Sequence, residues 1–112
     1  MMNSREDLQR QPCARLNVEP HPVRSDEIVG VARNLADWPV HGLRHVPEKG
    51  TCGWYLWSGE LSSADDFFEP LCSEHLGQRC PAIIPYLALP PGWRFLIAPD
   101  WQDVWFDATL LD

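Results

Sequence analysis

Lysine is almost missing from this chain. Lys49 is the only one among 112 residues, against eight arginines and sixteen Asp and Glu. That shortage leaves no polybasic patch to neutralise a phosphate backbone, so nucleic-acid binding is disfavoured. No P-loop and no G-x-G-x-x-G occurs, so a phosphate cradle lacks support. No apolar run approaches the roughly 20 residues that span a bilayer, and no membrane partner is expected. Met1 to Arg15 is polar and mixed in charge and lacks the apolar h-region of a Sec signal peptide, so a cytoplasmic location is expected. No G-x-S-x-G elbow is present, no internal repeat and no low-complexity tract. Aromatic residues are scarce before Gly53, where Trp38 stands alone.

The residues that are present suit one small globular domain. Hydrophobic residues make up 45% of the chain, which is enough for a core at this length and argues against disorder. The net charge of −7 is unevenly spread. Residues 1–57 carry seven acids and seven bases, whereas residues 58–112 carry nine acids and two bases, so the whole excess lies in the second half. Such a half keeps a small protein soluble and can also steer a basic protein partner. Four cysteines occur, Cys13, Cys52, Cys72 and Cys80, and a cytosolic redox poise favours free thiols.

Along the chain, residues 1–24 contain Pro12, Pro20 and Pro22 and read as a flexible or extended N-terminal arm. Residues 25–112 read as a single α+β domain. Ser25 is a candidate cap for a helix over 26–37, with Ile28, Val31, Ala32 and Leu35 at helical spacing, Gly30 weakening it and Pro39 ending it. Residues 39–51 suggest a short strand between loops. Gly53 to Ser58 predicts a strand with Trp54 and Leu56 on one face and Tyr55 and Trp57 on the other, which points to a central position or to a strand covered by helix on one side and by a partner on the other. Short helices are expected at 64–68, at Leu71 to Gln78 and, opened by Pro81, at Ala82 to Leu87. Pro90-Pro91-Gly92 is a stop, and Trp93 to Ala98 with Asp103 to Asp107 predicts an antiparallel hairpin. The expected architecture is a small antiparallel sheet with short helices packed on one face.

Three kinds of chemistry can be weighed. Cys72, His75 and Cys80 have a C-x2-H-x4-C spacing, with Cys52, His41 or His45 as possible fourth ligands, but a zinc site needs four converging groups. A small buried thiol is the plainer reading of Cys72. Ser58 is more simply a turn residue than a nucleophile. Glu60, Asp65, Asp66 and Glu69 near Trp54 and Trp57 have the ingredients of a glycosidase, yet so short a chain offers little room for a cleft. No catalytic residue, metal or cofactor is therefore assigned. The aromatic set remains. Five tryptophans, Trp54, Trp57, Trp93, Trp101 and Trp105, are hard to bury completely in so small a core. Exposed tryptophan ringed by charge is the composition of binding hot spots.

The stretch Gly53-Trp54-Tyr55-Leu56-Trp57-Ser58-Gly59-Glu60 resembles the G-W-x-x-x-S-G-E/D element of the Imm33 immunity-protein family. Ile83 to Phe95, an apolar helix leading through a Pro-containing turn and a Gly into an aromatic strand, resembles that family's later segment. The resemblance covers roughly residues 50–107. It departs in the N-terminal third and at the bulky Tyr55-Leu56-Trp57. It implies a non-catalytic, cytoplasmic antidote to a bacterial toxin encoded beside it, and no catalytic residues. Within it, Gly53 and Gly92 are expected to serve backbone geometry, and Trp54 and Phe95 the core. The partner is then a cognate toxin with a basic surface. Trp57, Glu60, Asp65, Asp66, Asp100, Trp101, Asp103 and Trp105 are the candidate partner-binding residues. The alternatives are a small ligand- or carbohydrate-binding module with tryptophan platforms, or a small metal-dependent hydrolase.

Overall fold

The computed structural model describes residues 16–24, 26–33, 35, 38–48, 51–61 and 67–111. Six strands form one sheet: β1 (Ile28–Ala32), β2 (Val40–Arg44), β3 (Thr51–Ser58), β4 (Phe68–Cys72), β5 (Trp93–Ala98) and β6 (Trp101–Phe106). Their order is β4-β1-β3-β2-β5-β6. A 3-10 turn at Ser73–His75, a one-turn helix α1 (Leu76–Arg79), a 3-10 helix at Pro81–Tyr86 and a last 3-10 turn at Ala108–Leu111 complete the described elements.

Alternation along the strands decides which face is covered. Val29 and Val31 of β1, Trp54 and Leu56 of β3, and Phe95 and Ile97 of β5 share one face. They pack with Leu76, Ile83, Leu87 and Leu89 from the segment between β4 and β5. Buried apolar area of this kind is the main favourable term in folding. The core also takes in the chain before β1: Val23 is buried, Val18 packs against the cluster, and His21 N donates to Ala88 O at 2.7 Å.

The sheet is mixed, which corrects the expectation of a purely antiparallel one. β1 runs parallel to β3, and every other neighbouring pair is antiparallel. The same region overturns the helix expected over 26–37, because β1 occupies Ile28–Ala32. Apolar residues at 28, 31, 32 and 35 fit a helical period, but Val29 and Val31 alternate equally well and are the ones facing the core. Gly30 carried the better signal. A Cβ there would lie 2.7 Å from the Tyr55 ring, so this glycine seats an aromatic from the adjacent strand. A glycine inside a strand commonly marks such a close approach. Gly42 plays the same part on the core face, where the Phe95 ring lies over it. The helix expected from Leu71 is shorter, since Leu71 and Cys72 complete β4. Of the helix expected at 64–68, Phe68 opens β4 and residues 64–66 lie outside the described residues. The Pro81-led helix forms as a 3-10 helix over Pro81–Tyr86, and the hairpin forms with its second strand beginning at Trp101 rather than Asp103.

Gly53 and Gly92 take φ values of +93° and +96°, which strongly favour glycine. Gly53 lies where the β1–β3 register shifts, and a Cβ on it would run into the His45 carbonyl oxygen. Gly92 N donates to Arg44 O at 2.8 Å, and Gly92 O accepts from Asp107 N at 2.7 Å.

Arg44 ties these parts together. It is 3% exposed at the end of β2. Its Nε donates to Cys52 O at 2.9 Å, and its Nη1 donates to His21 O at 2.7 Å, Leu89 O at 2.9 Å and Leu87 O at 3.3 Å. Trp54 Nε1 also donates to Leu87 O, at 2.8 Å, and the guanidinium lies 5.7 Å from the centre of the Trp54 ring. One side chain thus satisfies irregular backbone from three segments distant in sequence. Arginine suits the task because its planar fork presents several fixed donors. Replacing it with methionine keeps much of the packing volume and takes this donor from the His21, Cys52 and Leu89 carbonyls, while Leu87 O keeps Trp54 Nε1. Arg44→Met is expected to cost roughly 3–5 kcal/mol, because a buried carbonyl that loses its donor costs about 1–3 kcal/mol. A urea denaturation curve checks this, and Arg44→Lys should recover only part of the loss because an ammonium cannot span the same acceptors.

Candidate functional site

The face opposite the core presents a second, different set of side chains. Strand registers place Trp57, His41, Leu96 and Asp103 in one row across β3, β2, β5 and β6. Tyr55, Leu43, Arg94 and Trp105 form the adjacent row. Near its β4 end this face covers itself with aromatics. Phe68 meets Tyr55 edge-on at 5.1 Å and Trp57 at 6.1 Å, and His41 stacks on Trp57 with ring centres 5.0 Å apart. Trp57, expected at the surface, is therefore only 3% exposed. Its bulk is buried by neighbours on its own face, an arrangement that strand alternation alone does not reveal.

Two donors on this face are buried without a hydrogen-bond partner: Trp57 Nε1 and Arg94 Nε. The rest of Arg94 is engaged. Its Nη1 lies 3.2 Å from an Asp107 carboxylate oxygen, and its guanidinium sits 5.4 Å from the centre of the Trp105 ring. Asp107 is held further by Thr109, whose hydroxyl donates at 2.6 Å and whose backbone N–H donates at 3.1 Å. Those hydrogen bonds, led by the hydroxyl, and then the Arg94 charge, hold the Asp107 carboxyl below its ordinary pKa. Burial, followed by the nearby Arg94 charge, pushes the His41 imidazole down and keeps it neutral more readily than a free histidine.

The hairpin end is more open. Pro99 and Asp100 connect β5 to β6, with Ala98 opposite Trp101. β6 is an edge strand, bonded only to β5, and Asp103 is exposed along it. The opposite edge, β4, is interrupted by Pro70, a residue that cannot donate to an added strand. Trp101 is 49% exposed. The β2–β5 pairing, Val40 with Ile97, carries Trp38 past the end of the sheet toward the hairpin turn, where it is 46% exposed. Trp38 and Trp101 line a cleft of roughly 510 Å³ with Tyr86, Ile97, Asp100 and Gln102. Trp38 is absent from the candidates drawn from the sequence, where it is only the lone aromatic before Gly53; that isolation was its signal.

The other candidates are placed as follows. Glu60 is exposed just beyond β3, while Asp65 and Asp66 lie outside the described residues. Trp105 is partly buried against Arg94. Asp100, Trp101, Asp103 and Trp105 therefore share one hairpin, with Trp57 and Glu60 on a different part of the sheet. Among the described residues, no ion pair involves Asp100 or Asp103. Glu69 pairs with Arg33 at 2.9 Å. Cys52 and Cys80 are buried free thiols raised above their ordinary pKa, chiefly by burial, and Cys72 is a partly buried free thiol. Among the described residues no group of three or more His, Cys, Asp or Glu is arranged to hold a metal ion. No helix among them is long and apolar enough to cross a membrane.

The two segments that carry the sequence resemblance thus hold Gly53, Trp54, Gly92 and Phe95 in the structural positions described above. The family model of the Imm33-like domain matches residues 8–107. The chain belongs to the Imm33-like family. That match extends well upstream of the resemblance at 50–107 and includes β1 and β2. It suggests an immunity-type protein. No curated protein and no solved structure gives a significant match. In this Imm33-like domain, the segments resembling the family mainly build the scaffold, and the hairpin beyond Phe95 carries the exposed acidic and aromatic groups.

His41 offers a check on the sheet's electrostatics. Its folded pKa is depressed, so below about pH 6.5 the unfolded chain takes up a proton that the folded chain resists. The stability it contributes is present above that pH and is lost as pH falls through it toward the folded value. His41→Gln is expected to flatten the decline in stability between pH 7 and pH 5, measured by urea denaturation at each pH. An unchanged slope contradicts the placement of a neutral His41 beside Trp57 and Arg94.

Proposed function

We propose that this Imm33-like protein is a non-catalytic immunity protein that binds and neutralises a bacterial toxin in the cytoplasm. The observation that carries the reading is the β5–β6 hairpin of an immunity-type family member, which exposes Asp100 in its turn and Trp101 and Asp103 along an edge strand that no other described strand covers. Trp105 belongs to the same hairpin, and Glu60, exposed just beyond β3, is a further acidic candidate. Acidic groups without nearby bases accelerate encounter with a basic face, and large aromatic anchors supply the desolvated contact once docked. A toxin whose catalytic surface is basic would be occluded directly. No catalytic residues or cofactor enter this reading.

A small-ligand module with tryptophan platforms is the second reading. The cleft between Trp38 and Trp101 favours it, since its volume falls within the roughly 300–1,000 Å³ typical of ligand pockets. The metal-dependent hydrolase has no observation in its favour.

Affinity purification from the native host is expected to recover one tight partner encoded next to this protein. The double charge reversal Asp100→Lys with Asp103→Lys should weaken that complex by at least about tenfold, largely through slower association. Absence of any partner, or a complex indifferent to the reversal, counts against the proposal. Both positions are exposed, so folding is expected to survive the change.

A further inference from the structure

We infer that the cleft between Trp38 and Trp101 receives one cationic side chain, arginine or lysine, from the protein partner. The inference rests on the immunity reading above and specifies what one part of the surface recognises. Its walls have two kinds of chemistry. Trp38, Trp101 and Tyr86 supply aromatic surface, and Ile97 adds an aliphatic wall. Asp100 and Gln102 supply oxygen acceptors on the same cleft. Long basic side chains have the matching division, an apolar stem and a charged head. Aromatic faces attract cations through the ring quadrupole.

Charge decides between a cation and a neutral occupant. Asp100 is exposed and forms no ion pair among the described residues. The one arginine on the hairpin, Arg94, is already bonded to Asp107 and lies over Trp105. The cleft's carboxylate is thus left for a ligand. A purely aliphatic side chain would leave it desolvated without compensation, which is unfavourable. A sugar would find ring surface and could donate hydroxyls to the carboxylate, but it would not neutralise the charge.

The test uses the whole protein with ¹⁵N-labelled tryptophan. Six indole N–H signals are expected from six tryptophans, and Trp38→Phe and Trp101→Phe assign two of them. The probes are N-acetylarginine amide, N-acetylnorleucine amide as an uncharged aliphatic control, and cellohexaose. The arginine probe should shift the Trp38 and Trp101 signals saturably, and added salt should weaken it. Asp100→Asn, at an exposed position, should reduce its affinity by about threefold while preserving the other indole signals. The norleucine probe and the sugar should leave both signals in place.

Equal shifts with norleucine, shifts with cellohexaose instead, or no shift with arginine overturn the inference. Its failure is separable from failure of the immunity reading. Once a partner is purified, Trp38→Ala with Trp101→Ala should weaken the complex by at least about tenfold, as loss of two anchoring aromatics does. An intact complex with that variant sinks the cleft but keeps the toxin. Recovery of no partner alongside a positive arginine titration sinks the toxin reading but supports the cation-binding cleft.

Discussion

A single buried guanidinium organises the covered side of this protein. The helical segments between β4 and β5 are short, and Pro85 lies inside one of them, so their carbonyl groups are incompletely satisfied by their own turns. Arg44 supplies donors to Leu87 and Leu89 of that stretch while also holding His21 and Cys52. Buried carbonyls without donors carry a desolvation penalty of about 1–3 kcal/mol each. Regular secondary structure normally avoids that penalty with long ladders. Here a side chain replaces the ladder, which lets a short, proline-rich segment close over the sheet.

That arrangement has a consequence for the opposite face. With the helical layer fixed to one side, the other side of the sheet is covered, among the described residues, largely by its own aromatics. Phe68, Tyr55, Trp57 and His41 provide this cover near β4, leaving β5 and β6 less covered. The exposed hairpin is therefore the outcome of where the aromatics are spent. The same division separates scaffold from surface within the aromatic second half. Trp54 and Phe95 lie in the core, whereas Trp101 and the acids flanking it remain accessible.

Much of this was legible in the sequence, and the failures have physical causes. Gly53 to Ser58 and Trp93 to Ala98 announced themselves by dense β-forming residues between turn signals, and both are strands. Pro90-Pro91-Gly92 marked the entry to the hairpin for similarly local reasons. β1 was mistaken for a helix because Ile28, Val31, Ala32 and Leu35 fit a helical period, whereas Val29 and Val31 carry the strand period that prevails, with the ring of Tyr55 over Gly30. The parallel pairing of β1 with β3 is a relation between distant segments and leaves no local trace. Arg44 looked like any surface arginine in the chain. For the candidate site, Asp100, Trp101, Asp103 and Trp105 were recognisable as one hairpin. Trp57 was misplaced because its burial comes from cross-strand neighbours, and Trp38 was overlooked because its partner residue lies more than sixty positions away.

Hydrogen exchange on the complex with the purified partner tests the binding surface most directly. Association is expected to slow amide exchange across residues 98–105, the end of β5, the turn and the edge strand. Slowed exchange confined to β4 and the β1 side of the sheet, with the hairpin unchanged, would contradict it.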